Sequence, residues 1–287
     1  MIAVFKRELR SFFLNPTGYV FLGFFLLVTG IFFAFGNILG RSSDFPNLVG
    51  SVHFLFIIAV PILTMRLFSE EMRQKTDQLL LTSPVTVPAI VIGKYLAALC
   101  VFLIAVLVTA AYAVVISVYG DLAVSQSVGA LVGFFLAGAS YVAIGLMIST
   151  LTENQAVSAV ATFAALLLLQ LVDPIRSSIP QDQTIGLIFA GVLVVACGYA
   201  FFAATKSILI GAAALALSAG AFLVISVVDS LFFFRIAGEA VGLFSIVSRQ
   251  QRFTAGILAL DDVVYLISAI AVALFMSIRF IEKRRWA

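Results

Sequence analysis

Apolar runs of about twenty residues recur along almost the whole chain, each long enough to cross the ~30 Å hydrocarbon core of a bilayer as a helix. Inside hydrocarbon every backbone N–H and C=O must be satisfied within the protein, so such runs fold as α-helices. A transmembrane β-barrel would show short alternating segments instead. Composition excludes a soluble domain. Hydrophobic residues make up 63% of the chain and charged residues 11%, which is too little charge to cover a water-facing surface. The expected fold is an all-α polytopic membrane protein, with one transmembrane domain over residues 1–287.

Eight spans are expected, at about Thr17–Leu39, Val49–Phe68, Ile90–Tyr119, Val128–Leu151, Ala156–Val172, Ile185–Ala204, Ser207–Val228 and Val263–Phe280. The third exceeds ~20 residues and should tilt or protrude, and the fifth is short. The run after Pro16 is too long for a signal-peptide core and no A-x-A site follows it, so it is expected to persist as a span. With the N-terminus in the cytoplasm, Lys6, Arg7, Arg10, Arg66, Arg73, Lys75, Lys94, Lys206, Arg279, Lys283, Arg284 and Arg285 fall inside. Arg41, Arg176, Arg235, Arg249 and Arg252 fall outside. That asymmetry obeys the positive-inside rule and places both termini in the cytoplasm. Fusing the sixth and seventh spans would put Lys283, Arg284 and Arg285 outside. The location expected is a cell membrane, the inner (plasma) membrane of a bacterium.

Three segments are not simple spans. Residues 1–16 hold a basic amphipathic helix. Ile2, Phe5, Leu9, Phe12 and Phe13 recur at steps of three and four, with Lys6, Arg7 and Arg10 largely opposite. It should lie in the membrane interface until Asn15-Pro16 turns the chain. Residues 69–88 form a polar connector. Ser69 could cap a helix, Glu70 and Glu71 sit where the helix dipole favours anions, and Met72, Thr76, Leu79 and Leu80 share a face. Pro84 and Pro88 stop it. Residues 237–262 are too apolar for an exposed loop and too interrupted to cross. Short outer re-entrant helices are expected there, with Phe244, Ile246, Arg252, Phe253 and Asp261 as site candidates.

Several chemistries are absent from the sequence. There is no G-x-x-x-x-G-K-[ST], so this chain does not hydrolyse ATP by a P-loop, and no H-E-x-x-H. His53 reads as an interfacial side chain. Cys100 and Cys197 lie in apolar runs and read as small hydrophobes. No metal site, no catalytic residue and no nucleic-acid partner is expected. Lys94, Glu153 and Asp173 sit at span ends, whereas ion-coupled carriers place such groups near the midplane. An energy source outside the chain is the simpler reading. Gly129 and Gly133 form a G-x-x-x-G, which permits close helix packing.

Four pieces carry a family resemblance: Phe5-Lys-Arg-Glu-Leu-Arg-Ser-Phe-Phe-Leu-Asn-Pro-Thr-Gly-Tyr19; Pro61-Ile-Leu-Thr-Met-Arg66 with Glu70-Glu71 and Leu79-Leu-Leu-Thr-Ser-Pro84; Gly93-Lys94; and Arg252-Phe-Thr-Ala-Gly-Ile-Leu-Ala-Leu-Asp-Asp-Val-Val-Tyr265 with Glu282-Lys-Arg-Arg-Trp286. Together they resemble ABC-2-type transporter permeases, in the branch typified by the gliding-motility permease GldF. The family usually carries Gly-Thr-x-Glu in the loop where this chain has Lys75-Thr-Asp-Gln78. Most members have six spans, and residues 185–228 look like an added helix pair.

The resemblance implies a non-catalytic permease subunit of an ATP-driven exporter. ATP and Mg would be bound by a separate ABC ATPase subunit, and a second permease copy or a sister permease would complete the pathway. A GldG-like protein with an extracytoplasmic domain is a further implied partner, besides membrane lipid. Phe5, Lys6, Arg7 and Arg10 would belong to the elbow helix. Glu70, Glu71, Arg73, Thr76, Leu79, Leu80, Leu81 and Pro84 would form the ATPase-coupling segment. A rival reading is a membrane mechanotransmitter or scaffold that passes ATPase motion to extracytoplasmic domains without moving a substrate. A second rival is a stand-alone channel, against which the cytoplasmic connector argues.

Overall fold

The computed structural model describes residues 1–76, 85–178, 191 and 242–285. The backbone groups into two compact units, Met1–Leu168 with Ile246–Ala287, and Leu169–Ser245. Among the described residues there are helices and turns but no strand. Six stretches are long and apolar enough to cross a membrane: Pro16–Leu39, Phe45–Arg73, Val87–Tyr119, Val124–Ser149, Gln155–Ser178 and Leu260–Arg284. They fall on six of the eight expected spans. The other two, Ile185–Ala204 and Ser207–Val228, lie outside the described residues.

In the first unit, α1 (Ile2–Leu14) is the expected amphipathic helix. It ends at Asn15, whose backbone is extended, and Pro16 opens α2 (Pro16–Phe33). Proline suits a first helical position, where its missing N–H has no intrahelical acceptor. A widened π-helical turn, Ala34–Leu39, continues α2. The second span is not one regular helix. It runs through α3 (Phe45–Ser51), a 3-10 turn (Val52–Leu55) and α4 (Phe56–Thr64), which contains Pro61. A turn then leads to α5 (Ser69–Arg73). The remaining elements of this unit include α6 (Val87–Tyr119), α7 (Val124–Ser149), the first part of α8 (Gln155–Ser178), α9 (Val247–Thr254) and α10 (Leu260–Arg285). At 33 residues, α6 is roughly 50 Å long and exceeds the bilayer core.

Helix α7 is central, packing against α3, α4, α6, α9 and α10. Its sequence explains this. Gly129, Ala130, Gly133, Ala137, Gly138, Ala139, Ser140, Ala143 and Gly145 are all buried, and small residues let helix backbones approach closely. Phe25, Phe56, Phe102 and Phe134, from four different helices, fill the centre. Phe56 and Phe134 lie 4.6 Å apart, and Phe102 is 5.6 Å from Phe56. Three buried hydroxyls are satisfied on their own helices: Thr29 donates to Phe25 O, Thr64 to Val60 O and Thr109 to Ala105 O at 2.9–3.0 Å, as helical Ser and Thr do where no other acceptor is near.

A Cβ on Gly138 would stand 2.5 Å from Phe102 Cε1 and 2.9 Å from Phe56 Cε1. Gly138→Leu should therefore cost roughly 1–3 kcal/mol, as overpacking does. The lost stability would appear as a lower unfolding temperature of the detergent-purified protein. Gly23, where an added Cβ would meet nothing within 4 Å, should accept leucine without such a drop.

His53 corrects an expectation. It is buried, not interfacial, with Nε2 3.1 Å from the Tyr141 hydroxyl and its ring edge-on to Phe56. The Tyr141 partner comes from another helix, so local sequence gave no sign of it.

Candidate functional site

Three elements meet at the end of the bundle where α1 lies. α1 buries Val4 and Phe12 and half-buries Glu8 and Ser11. That stripe packs on α6 at Gly93, where an added Cβ would lie 3.2 Å from Val4. Ile2 stays exposed, and Phe5 and Leu9 are only half-buried, so much of the apolar face foreseen for α1 is left uncovered by the described residues. The next residue of α6 is Lys94, which is 1% exposed.

Lys94 Nζ lies 2.9 Å from Glu71 Oε2 and 3.2 Å from Glu8 Oε1, and donates to Leu67 O at 2.6 Å. It also sits 5.0 Å from the centre of the Phe68 ring. A buried ammonium needs such a complete set of partners, because its desolvation costs several kcal/mol. Arg7 closes the ring of charges, 2.6 Å from Glu8 and 2.7 Å from Glu71. Burial works to lower the pKa of Arg7, but Glu8 and Glu71 outweigh it and hold it above the ordinary arginine value.

Beside this ring, Arg66 reaches both oxygens of Glu70 at 2.6 and 2.9 Å and donates to Thr17 Oγ1 at 2.6 Å. A cavity of about 450 Å³ opens between them, walled by Arg7, Glu8, Thr17, Arg66, Glu70, Glu71 and Lys94 among others. The backbone of the turn is held as well. Phe68 N and Ser69 N donate to Ser149 Oγ at the end of α7, and Arg284 Nη1 on α10 lies 2.8 Å from Met72 Sδ. The arrangement links the connector to four other elements. The segment Arg66–Glu71 contacts α1 through Glu71–Arg7, α6 through Lys94, α2 through Arg66–Thr17 and α7 through Ser149.

Of the sequence candidates, Glu71 and Arg7 are brought together, whereas Glu70 pairs with Arg66. Lys6, Arg10 and Arg73 are exposed and lie outside the cluster. Two expectations for the connector are corrected. Ser69 does not cap with its side chain; its hydroxyl donates back to Met65 O. The helix also stops at Arg73, and Lys75 turns the chain at φ 56°, so Thr76 does not extend a helical face. Thr76 instead lines the cavity. Leu79, Leu80, Leu81 and Pro84 lie outside the described residues. Sequence reasoning missed Glu8, Thr17 and Ser149, and gave Lys94 only the role of a span marker. A lysine set within an otherwise apolar helix was the available signal.

At the opposite end, α9 sits on α7. Phe253 is buried over Gly133, whose Cβ would stand 2.5 Å from Phe253 Cβ; the G-x-x-x-G is thus a seat for α9. Asp262, 0% exposed, pairs with Arg249 at 3.2 Å and with Arg252, while Arg252 also reaches Asp261 at 3.4 Å. The Arg249 guanidinium stacks 3.7 Å over Tyr265. Ile246 is 2% exposed and Phe244 64%, so the two candidates differ. Residues 237–241 lie outside the described residues. In the second unit, Ser245 donates to Asp173 at 2.6 Å.

The helices and their apolar lengths define a multi-pass α-helical membrane protein. Residues 42–183, just under half of the chain, match the family model described as ABC-2 family transporter protein. No curated protein matches the chain.

Proposed function

We propose that this chain is the membrane-spanning permease subunit of an ATP-driven ABC-2-type exporter of the GldF-like branch. The observation that carries the reading is the Lys94 junction within and beside the matched segment. The connector after the second span is tied by charge to the elbow helix and to the third span, as a part must be if it receives force from outside the membrane. A separate ATPase, holding ATP and Mg, would dock on residues 69–88 and move these elements together. A second copy or sister permease would complete the pathway, and a GldG-like protein would act on the far side. The Lys94 end faces the cytoplasm of a bacterial cell in this reading, with both termini inside.

Affinity purification of the tagged full-length chain from its own cells tests it. A P-loop ATPase should copurify in stoichiometric amount. Single cysteines at Gln74 and Asp121 should be labelled from opposite sides of the membrane. Purification of the chain without any ATPase, together with labelling of both positions from one side, would refute the reading.

A further inference from the structure

The end of the bundle opposite Lys94 holds a recess that the transport reading does not use. Its volume is about 520 Å³, and it lies between the end of α2 and the end of α6. One wall is apolar: Phe33, Ile38, Val115, Ile116 and the ring of Tyr119. The other is polar: Asn37, Arg41, Ser42 and Ser43. Phe33 stacks flat on Tyr112 at 4.5 Å, so the apolar wall is stiff. The polar wall is fixed too, because buried Asn37 donates to Ser42 O at 2.9 Å and to Asp44 O at 3.3 Å.

Two features of this corner are costly unless used. The last turn of α2 is widened to a π-helix over Ala34–Leu39, a distortion concentrated at functional sites. Arg41 then adopts φ 49°, a left-handed conformation that glycine takes without strain and arginine does not. Yet the residue there is arginine, and among the described residues its guanidinium forms no ion pair. The nearest acid in sequence, Asp44, is engaged in capping α3 through Asn47 N at 3.0 Å. A cation without a counter-ion among the described residues, two serines and an apolar wall stand together where two spans end.

We propose that this recess binds one phospholipid with an anionic headgroup. The guanidinium offers a fork of donors to phosphate oxygens, Ser42 and Ser43 line the same recess, and an acyl chain follows Phe33, Ile38 and Val115 toward the membrane. Tyr119, 88% exposed, stands at the headgroup level where aromatic side chains gather. Charge decides between lipid classes, since a zwitterionic choline headgroup would bring a second cation to Arg41. The inference does not depend on the transport reading.

The full-length protein in detergent, titrated with phosphatidylglycerol or phosphatidylcholine and followed by native mass spectrometry, tests it. The wild type should hold one phosphatidylglycerol in preference to phosphatidylcholine. Arg41→Gly removes the guanidinium and relaxes the backbone, so it should fold normally and bind that lipid about tenfold more weakly, the loss typical of one charge-assisted contact. Val115→Trp fills the recess without touching charge and should weaken binding similarly. Millimolar inorganic phosphate should not compete. Unchanged phosphatidylglycerol binding in either variant would overturn the proposal, as would displacement by phosphate alone. So would a disulfide between two Tyr119→Cys protomers in membranes, which would assign the face to a second copy of the chain.

Discussion

Lys94→Met should destabilise the protein by about 3 kcal/mol, the lower part of the range for removing one partner of a buried pair. The physical reason is specific. Glu8 and Glu71 would keep only Arg7 between them, and Arg7 is itself half exposed. Leu67 O would lose its 2.6 Å donor. Methionine fills the volume of the lysine stem, so the loss reports charge and not a cavity. Scanning fluorimetry of the detergent-purified protein should show the drop in unfolding temperature. Adding Glu8→Gln to Lys94→Met should recover part of it, because the orphaned charge is removed; in double-mutant terms the two sites are coupled. Additive losses would mean that the Lys94–Glu8 contact contributes nothing.

With the connector as the proposed docking element, Leu80→Asp should release the ATPase. Leu79, Leu80 and Leu81 are the only run of large apolar side chains in the connector, and a few buried apolar contacts carry most of the energy of such an interface. If the leucines are buried on docking, an aspartate there adds a desolvation penalty to the lost contact. Rim charges matter less for affinity and more for orientation. Copurification of the ATPase should therefore fall to background with Leu80→Asp.

The long apolar runs made most of the fold legible, because backbone satisfaction in hydrocarbon leaves a helix as the sole outcome. Boundaries within apolar sequence were less legible. The second span changes to a 3-10 turn at Val52–Leu55, whereas α4 runs on through Pro61, a residue that usually breaks a helix. The fifth span was expected to end at Val172 and its helix runs to Ser178, past Pro174. Of the Lys94 junction, the sequence displayed Arg7 and Glu71 as charges on two separate amphipathic segments. It could not display Lys94 joining them, or Glu8, since pairing across α1, α5 and α6 is a property of packing. The same holds at the far end. Arg252 and Asp261 were visible as candidates, whereas Asp262, the buried partner of both Arg249 and Arg252, emerges only once α9 is seated on Gly133.

In the proposed function, the Lys94 junction carries motion between a docked ATPase and the spans. The most direct measurement is ATP turnover of the purified complex with Glu71→Lys beside the wild type and Leu80→Asp. Glu71→Lys places a third cation against Arg7 and Lys94 while leaving the docking leucines intact. The ATPase should remain bound, and its permease-dependent turnover should fall severalfold. Normal turnover with Glu71→Lys, in a complex that still assembles, would contradict it.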